Sequence, residues 1–385
     1  MLVTTGSPLY AVSMSKKVSS QSQSESTDLF KAKLLQYKTA IDADIACYSL
    51  GLQSQTAEQF GENSKRAITA YTEILSRGGK RIRGALAMLA YSTFGGTDEE
   101  VAIVAARAIE MVQAYLLITD DIADRSASRR GGPSAHELLR SWHKQNHLKD
   151  DSKHFGESIA MNAAMMGGHA AMILISDLPV SPEVRVNALR TLNKNLIVTA
   201  HGQFNDIFNE VLESDDEQSI ENVLVWKTAY YTFVSPLQFG AELAGAPQKA
   251  LDTLLEYGLH AGRAFQIGDD IVGTFSEEHE SGKSPFDDIR EGKRTLLIAY
   301  ALKKAETADA HFLRRCLGNQ NLTLAEFERC KEIITSSGAL DYAKAQAQLS
   351  ATRAQEVLAA QTEGWNTESV EFLHQLVQYL VVRKS

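Results

Sequence analysis

Three aspartates, Asp120, Asp121 and Asp124, fall within five positions at the end of the apolar run "VAIVAARAIEMVQAYLLITDDIADR", and two adjacent arginines, Arg129 and Arg130, follow. On a helix, residues four apart share a face, about 6 Å apart along the axis. The carboxylates therefore repel one another, and the helix C-terminus adds negative partial charge of its own. A local rule broken this plainly points to an external cation. Oxygen donors with no histidine or cysteine beside them suit magnesium rather than zinc. Taken alone, the cluster fits a solvated acidic helix end slightly better.

The arrangement recurs in "AFQIGDDIVGTF", where Asp269 and Asp270 close a second apolar run and Gly273 takes the fifth position. Two such helices can face one another across a bundle. Magnesium keeps water and takes one or two protein carboxylates together with substrate phosphates. Facing acid clusters thus predict metal ions bridging to a diphosphate. Gln203 and Asp206 in "HGQFNDIF" form a weaker third candidate and fit ordinary polar helix positions equally well.

Basic residues surround these acids. "SRGGKRIRGAL" sets Lys80, Arg81 and Arg83 at a helix start after Gly78 and Gly79. Cations are unfavourable at a helix N-terminus, whereas anions bind there well, so phosphate capture accounts for both, although this segment alone reads first as a surface charge run. Arg129 and Arg130 offer planar forks for phosphate oxygens. Lys227 and Thr228 in "WKTAYY", Lys283, and Lys293 in "REGKRTLL" are further potential ligands. Singly each reads as solvated; their order around two acid pairs makes a constellation.

The elements that must position these residues are helices. From about residue 28 the apolar spacing is helical, with no alternating strand, no glycine-rich phosphate loop after a strand and no short-period repeat. Seven prolines punctuate 385 residues, and Ser181-Pro182 opens one of the long runs. The expectation is an all-α, single-domain bundle of ten or more helices. Residues 1–27 read as a disordered polar tail and 28–385 as one helical domain. The charged stretch 276–292 is the longest internal loop candidate. A net charge of −9 argues against a general nucleic-acid binder. Three scattered cysteines suit neither a disulfide framework nor a zinc site. No unbroken apolar run of membrane-spanning length is present, and no membrane span is expected.

Taken in order, "GGKRIR", "DDIADRSASRRG", "GQFND", "KTA", "FQIGDDIVG" and "GKSPFDDIREGKRTLL" resemble the signatures of the trans-isoprenyl diphosphate synthases, the polyprenyl synthetase family. The resemblance runs from about residue 60 to the C-terminus. It implies an all-α bundle around a deep central cavity, a homodimer, a cytoplasmic location, and isopentenyl and allylic prenyl diphosphates as substrates. It implies that Asp120, Asp121, Asp124 and Asp269, supported by Asp270, hold three magnesium ions on the allylic diphosphate. Arg129, Lys227, Thr228, Gln266, Lys283 and Lys293 would contact that diphosphate. Lys80, Arg83, Gln113 and Arg130, with backbone from Gly79, would bind isopentenyl diphosphate. Arg383 and Lys384 would help close the site. Gln113 stands where many members carry histidine, Gly84 where a proline is common, and Gly273 where some carry a third aspartate.

The chemistry implied is electrophilic prenyl transfer in a dry apolar cavity. A class I terpene cyclase shares the first acid motif, but it needs no second diphosphate site, so "GGKRIR" with "RR" weighs against it. A non-catalytic regulatory subunit is expected to have lost acid-motif residues, which this chain keeps. A helical scaffold leaves the paired motifs unexplained. Tyr115 and Leu116, five and four positions before Asp120, are the expected cavity floor, with a geranylgeranyl product expected first and a farnesyl product second. Helical spacing alone would make Tyr115 a plain core aromatic.

Overall fold

The computed structural model describes residues 9–275 and 286–382, with side chains from 30 to 275 and from 286 to 380. Lys283, Arg383, Lys384 and the side chains of 1–27 lie outside the described residues.

The expectation of an all-helical chain holds. Helix α1 (Leu9–Ser76) is interrupted at Gly61, and α2 (Ile82–Thr93) follows it. The side chain of Asp98 accepts from the backbone of Glu100 and Val101 to open α3 (Glu99–Ala123), with Glu99 and Glu100 in its first turn; acids there complement the helix dipole. Next come α4 (Ala135–Gln145) and α5 (Ser152–Ser176), the latter capped by Asp151. Helix α6 (Pro182–Val211) starts as the Ser181-Pro182 pair predicts, the serine capping and the proline in the first turn. Helix α7 (Glu217–Asn222) runs into a π-helical stretch, Val223–Val234, and then α8 (Ser235–Leu243) and α9 (Gln248–Phe275). Five residues of the expected loop form α10 (Asp287–Glu291). The chain ends in α11 (Leu296–Lys304), α12 (Thr307–Cys316), α13 (Leu324–Ser336), α14 (Ala339–Gln361) and α15 (Thr367–Val382). Among the described residues, the one sheet is a pairing of Ser128–Arg129 with Gly132–Pro133.

Three apolar clusters hold the bundle together. The first joins α1, α3, α5 and α6; the second joins α2, α8, α9, α14 and α15, with Phe30 of α1; the third joins the end of α9 to α11–α14. Phe30, 2 % exposed, is the first described side chain packed into the core. Helices α3 and α5 are long and apolar enough, by length and composition, to cross a membrane. Most of α3 is buried inside the bundle, whereas about a third of the apolar stretch of α5 is.

The π-helical stretch sits between two close backbone approaches. A Cβ on Gly202 of α6 would lie 2.1 Å from the backbone nitrogen of Lys227, and one on Gly262 of α9 would lie 2.4 Å from Cα of Ala229. Helices α6 and α9 therefore grip the segment that carries Lys227 and Thr228. Widened turns of this kind recur at functional sites.

Candidate active site

The first acid cluster lies where α3 ends. Asp120 Oδ1 is 2.9 Å from Lys227 Nζ, and Asp124 Oδ2 is 3.0 Å from Lys293 Nζ. Both oxygens are shielded from solvent, and the lysine ammonium groups are their partners. Lys227 also pairs with Asp206, which brings the weakest sequence candidate to the centre of the site. Burial opposes charge on Asp120, but Lys227, Lys293 and Arg129 outweigh it and hold its carboxyl below the usual range. Burial works against the charge on Lys227 too, and Asp120, Asp206 and Asp124 raise it above an ordinary lysine. Asp121 is different. It is fully buried and accepts from Arg129 Nε at 2.8 Å and from Arg129 Nη2, so it fixes the guanidinium.

The second cluster is built on α9. Asp270 accepts from Gln266 Nε2 at 2.7 Å, and Gln266 Oε1 accepts from Thr228 Oγ1 at 2.8 Å. Burial first, and then the neighbouring Asp288 and Asp269, push Asp270 well above the usual carboxylate range. The fifth position of this motif is Gly273, and a Cβ there would meet Asp288 Oδ2 at 2.8 Å. A carboxylate from α10 thus stands against the open face of Gly273. Lys293 connects the two clusters: its Nζ touches Asp124, lies 3.9 Å from Asp288 and is 2.9 Å from Glu291.

Among the described residues, no three acidic, histidine or cysteine side chains converge as they stand on a point that could hold a metal ion. Lysine ammonium groups occupy that space. The donor set is nevertheless of the hard, all-oxygen kind, and the buried Asp120 and Asp124 oxygens, already facing cationic ammonium groups, suit a divalent ion such as magnesium. Such an ion would have to displace the lysines.

A separate cationic cluster lies beside α2. With its amide oriented by its neighbours, Gln113 Oε1 accepts from Arg83 Nη1 at 2.8 Å and Arg130 Nη2 at 3.2 Å, while Nε2 donates to Glu110 Oε2 at 3.2 Å. Arg83 also donates to Thr232 Oγ1 at 2.7 Å and lies over the Tyr231 ring. Arg130 lies against Gly79, where a Cβ would sit 3.3 Å from the guanidinium carbon. Burial lowers Arg130 to about 10; Glu110 opposes this, and the crowding cations Arg81, Arg83 and Arg129 add to it. Lys80 is exposed at the rim, its Nζ 5.4 Å from the centre of the Tyr379 ring.

Arg81 corrects the sequence reading. Its side chain is buried, paired with Asp42 at 2.7 Å and Glu110 at 3.0 Å, and donates to the Leu75 carbonyl. It ties α1 to α3 instead of facing a ligand. Glu110 was missed altogether, although an acid inside the apolar run of α3 was a signal for a buried partner. Its Oε1 accepts from the backbone N–H of Gly84 at 2.9 Å. Proline has no N–H to give, which is a physical reason for glycine at that position. Glu291, Asp288, Thr232 and Tyr231 were also missed, because their roles depend on partners distant in sequence.

Tyr115 packs towards α5, where a Cβ on Gly168 would lie 3.5 Å from its ring. Leu116 packs partly buried against the first apolar cluster. A small, water-sized pocket opens beside Ile109, Val112 and Gln113 of α3 and Leu192 and Leu196 of α6. It lies upstream of Tyr115 and Leu116 along the same helix.

The polyprenyl synthetase family model matches residues 64–334. The chain is similar to a geranylfarnesyl diphosphate synthase of Aeropyrum pernix, 32 % identical over 82 % of this chain and 93 % of that protein. It is also similar to a geranylgeranyl diphosphate synthase of Sulfolobus acidocaldarius, 30 % identical over 70 % of this chain and 77 % of that one. The crystal structure of a geranylgeranyl pyrophosphate synthase from Corynebacterium glutamicum, complexed with isoprenyl diphosphate and magnesium, superposes with a TM-score of 0.81, at 29 % identity and covering 94 % of this chain and 99 % of that one. With its paired acid clusters, its two cationic regions and a family match over more than half its length, the chain belongs to the polyprenyl synthetase family.

Proposed function

We propose that the chain is a short-chain prenyl diphosphate synthase that joins isopentenyl diphosphate to an allylic diphosphate. The observation that carries this is the presence of two separate cationic regions. Lys227, Lys293 and Arg129 sit among the acid clusters, while Arg83, Arg130 and Gln113 sit apart beside α2. A terpene cyclase has one diphosphate to hold, and a regulatory subunit has no need of intact acids at both helix ends.

Asp120, Asp124 and Asp269, with Asp270 in support, would hold magnesium; the resemblance implies three ions. When bound, the metal neutralises the departing diphosphate. Freed from their aspartates, Lys227 and Lys293 turn to the allylic diphosphate beside Arg129, which Asp121 orients. Lys283 joins them in this reading. Thr228 and Gln266 form a chain that steers Asp270. Gln113 sets the spacing of Arg83 and Arg130, which with Lys80 and the Gly79 backbone bind isopentenyl diphosphate. The allylic C–O bond breaks, the isopentenyl double bond forms the new C–C bond, and a proton leaves, taken up by the released diphosphate. The apolar walls keep water from the cation.

The product is read as geranylgeranyl diphosphate first and farnesyl diphosphate second, with Tyr115 limiting the cavity; Tyr115→Ala is then expected to lengthen it. The homodimer is supported by an apolar stripe on two adjacent helices. Met161, Met165 and Ile173 of α5 and Ile197, Phe204 and Phe208 of α6 are each more than half exposed, and a second copy would cover them. Phe204→Asp should yield a monomer in sedimentation. The deciding experiment incubates the protein with magnesium, isopentenyl diphosphate and each allylic starter and sizes the products. No chain elongation with any starter overturns the reading.

A further inference from the structure

Both ends of the chain outside residues 64–334 meet above the isopentenyl side of the site. Phe30 of α1 lies 4.8 Å from Phe372 and 5.7 Å from Tyr379, both on α15, between ring centres. Tyr37, two turns further along α1, meets Phe372 edge-on at 6.2 Å. Lys33 pairs with Glu368 at 3.1 Å. Helix α15 is held on its other side as well, since Phe372, Leu373, Leu376, Val377 and Leu380 are all buried in the second apolar cluster. These contacts fix the height of Tyr379 along α15, and the ring of Tyr379 faces Lys80 Nζ at 5.4 Å.

Lys80 has little else to hold it. It is exposed, follows two glycines, and precedes Arg81, whose side chain is committed to the core. A lysine stem of this kind carries rotamer freedom that a bound anion must remove. An ammonium within about 6 Å of an aromatic ring centre is attracted to the ring face, which narrows that freedom while leaving hydrogens for a phosphate.

We propose that Tyr379 is a positioning residue for Lys80, held in place by Phe30, so that the first helix and the last jointly set the affinity for isopentenyl diphosphate. This rests on the assignment of Lys80 to that substrate. Tyr379→Leu is expected to raise the KM for isopentenyl diphosphate about two- to fivefold, the range of an exposed cation–ring contact, with the KM for the allylic substrate as internal control. Tyr379→Phe, which keeps the ring face, should restore the wild-type value. In Lys80→Ala, adding Tyr379→Leu should raise the KM no further. Phe30→Ala should move the same KM in the same direction. If Lys80→Ala leaves isopentenyl diphosphate unaffected, the site assignment falls and the proposal with it. If Lys80→Ala acts as assigned but Tyr379→Leu changes neither KM, or both equally, the proposal alone falls. Equal loss in Tyr379→Phe, additivity in the double variant, or a shift of the allylic KM in Phe30→Ala would likewise overturn it.

Discussion

The two acid-bearing helices look alike in sequence and are in opposite electrostatic states. At the end of α3, Asp120 is held below the usual carboxylate range by lysines and an arginine. On α9, Asp270 is pushed well above it by burial and by Asp288 and Asp269, with Gln266 as its hydrogen-bond donor. Asp120 is therefore charged before any metal arrives, its charge balanced by the cations that later serve the diphosphate. Asp270 gains its charge only when a cation joins it. Identical dipeptides thus acquire different duties from their neighbours, and Lys293, which pairs with Asp124 and acts electrostatically on Asp270, links the two.

The largest expected effect breaks the α3 side. Asp120→Ala should lower kcat by about 10²- to 10³-fold, the scale of losing one group that stabilises developing charge, with helix content by circular dichroism unchanged. Near-normal turnover at saturating magnesium would end the account of Asp120 as a metal ligand. Within the same cluster, Asp121→Asn should act through Arg129. The loss of a charge-assisted contact, about 1.5–3 kcal/mol, should weaken the allylic diphosphate roughly ten- to a hundredfold. A change confined to the magnesium requirement would instead make Asp121 a ligand.

On the α9 side, Gly273→Asp should impair magnesium binding, because the new side chain collides with Asp288 and adds a like charge beside Asp270. Pairing it with Asp288→Gly should recover binding; calorimetry showing tight binding in the single variant would refute the idea that Asp288 fills this space. The raised Asp270 also sets a pH dependence. Metal must displace its proton, so half-saturating magnesium should fall as pH rises, and Asp270→Asn should flatten that dependence. The smallest effect is on stability. Glu210 is raised from 4.5 to about 8 by burial and then by Asp206 and Asp124. Its stabilising contribution is complete below 4.5 and is lost as pH rises through about 8. The Tm of metal-free protein should decline over that window, and less so in Glu210→Gln.

How far these features could be read in advance depended on how local they are. The acid pairs and the "GGKR" start of α2 break local rules that a linear pattern displays, whereas Lys227 stands out only by its order among them. Arg81 breaks the same rule as Lys80 and serves the core, because one residue's step around the helix start turns it towards Glu110. Gly84 looked like a departure until Glu110 supplied the acceptor for its N–H. Gly273 is a departure of the same kind, and Asp288, fifteen positions on, stands against it.

By itself the sequence determined the helical character, the presence of two acid clusters and two sets of cations, and the hard-cation, diphosphate chemistry they imply. These follow from side-chain type and spacing, which act within a turn or two of helix. Only the tertiary structure decided which acid is ionised, which arginine is buried, where α6 and α9 grip the Lys227 segment, and that the first and last helices meet above Lys80. Those properties depend on burial and on charges brought within a few ångströms from distant segments, and no short-range pattern encodes such distances.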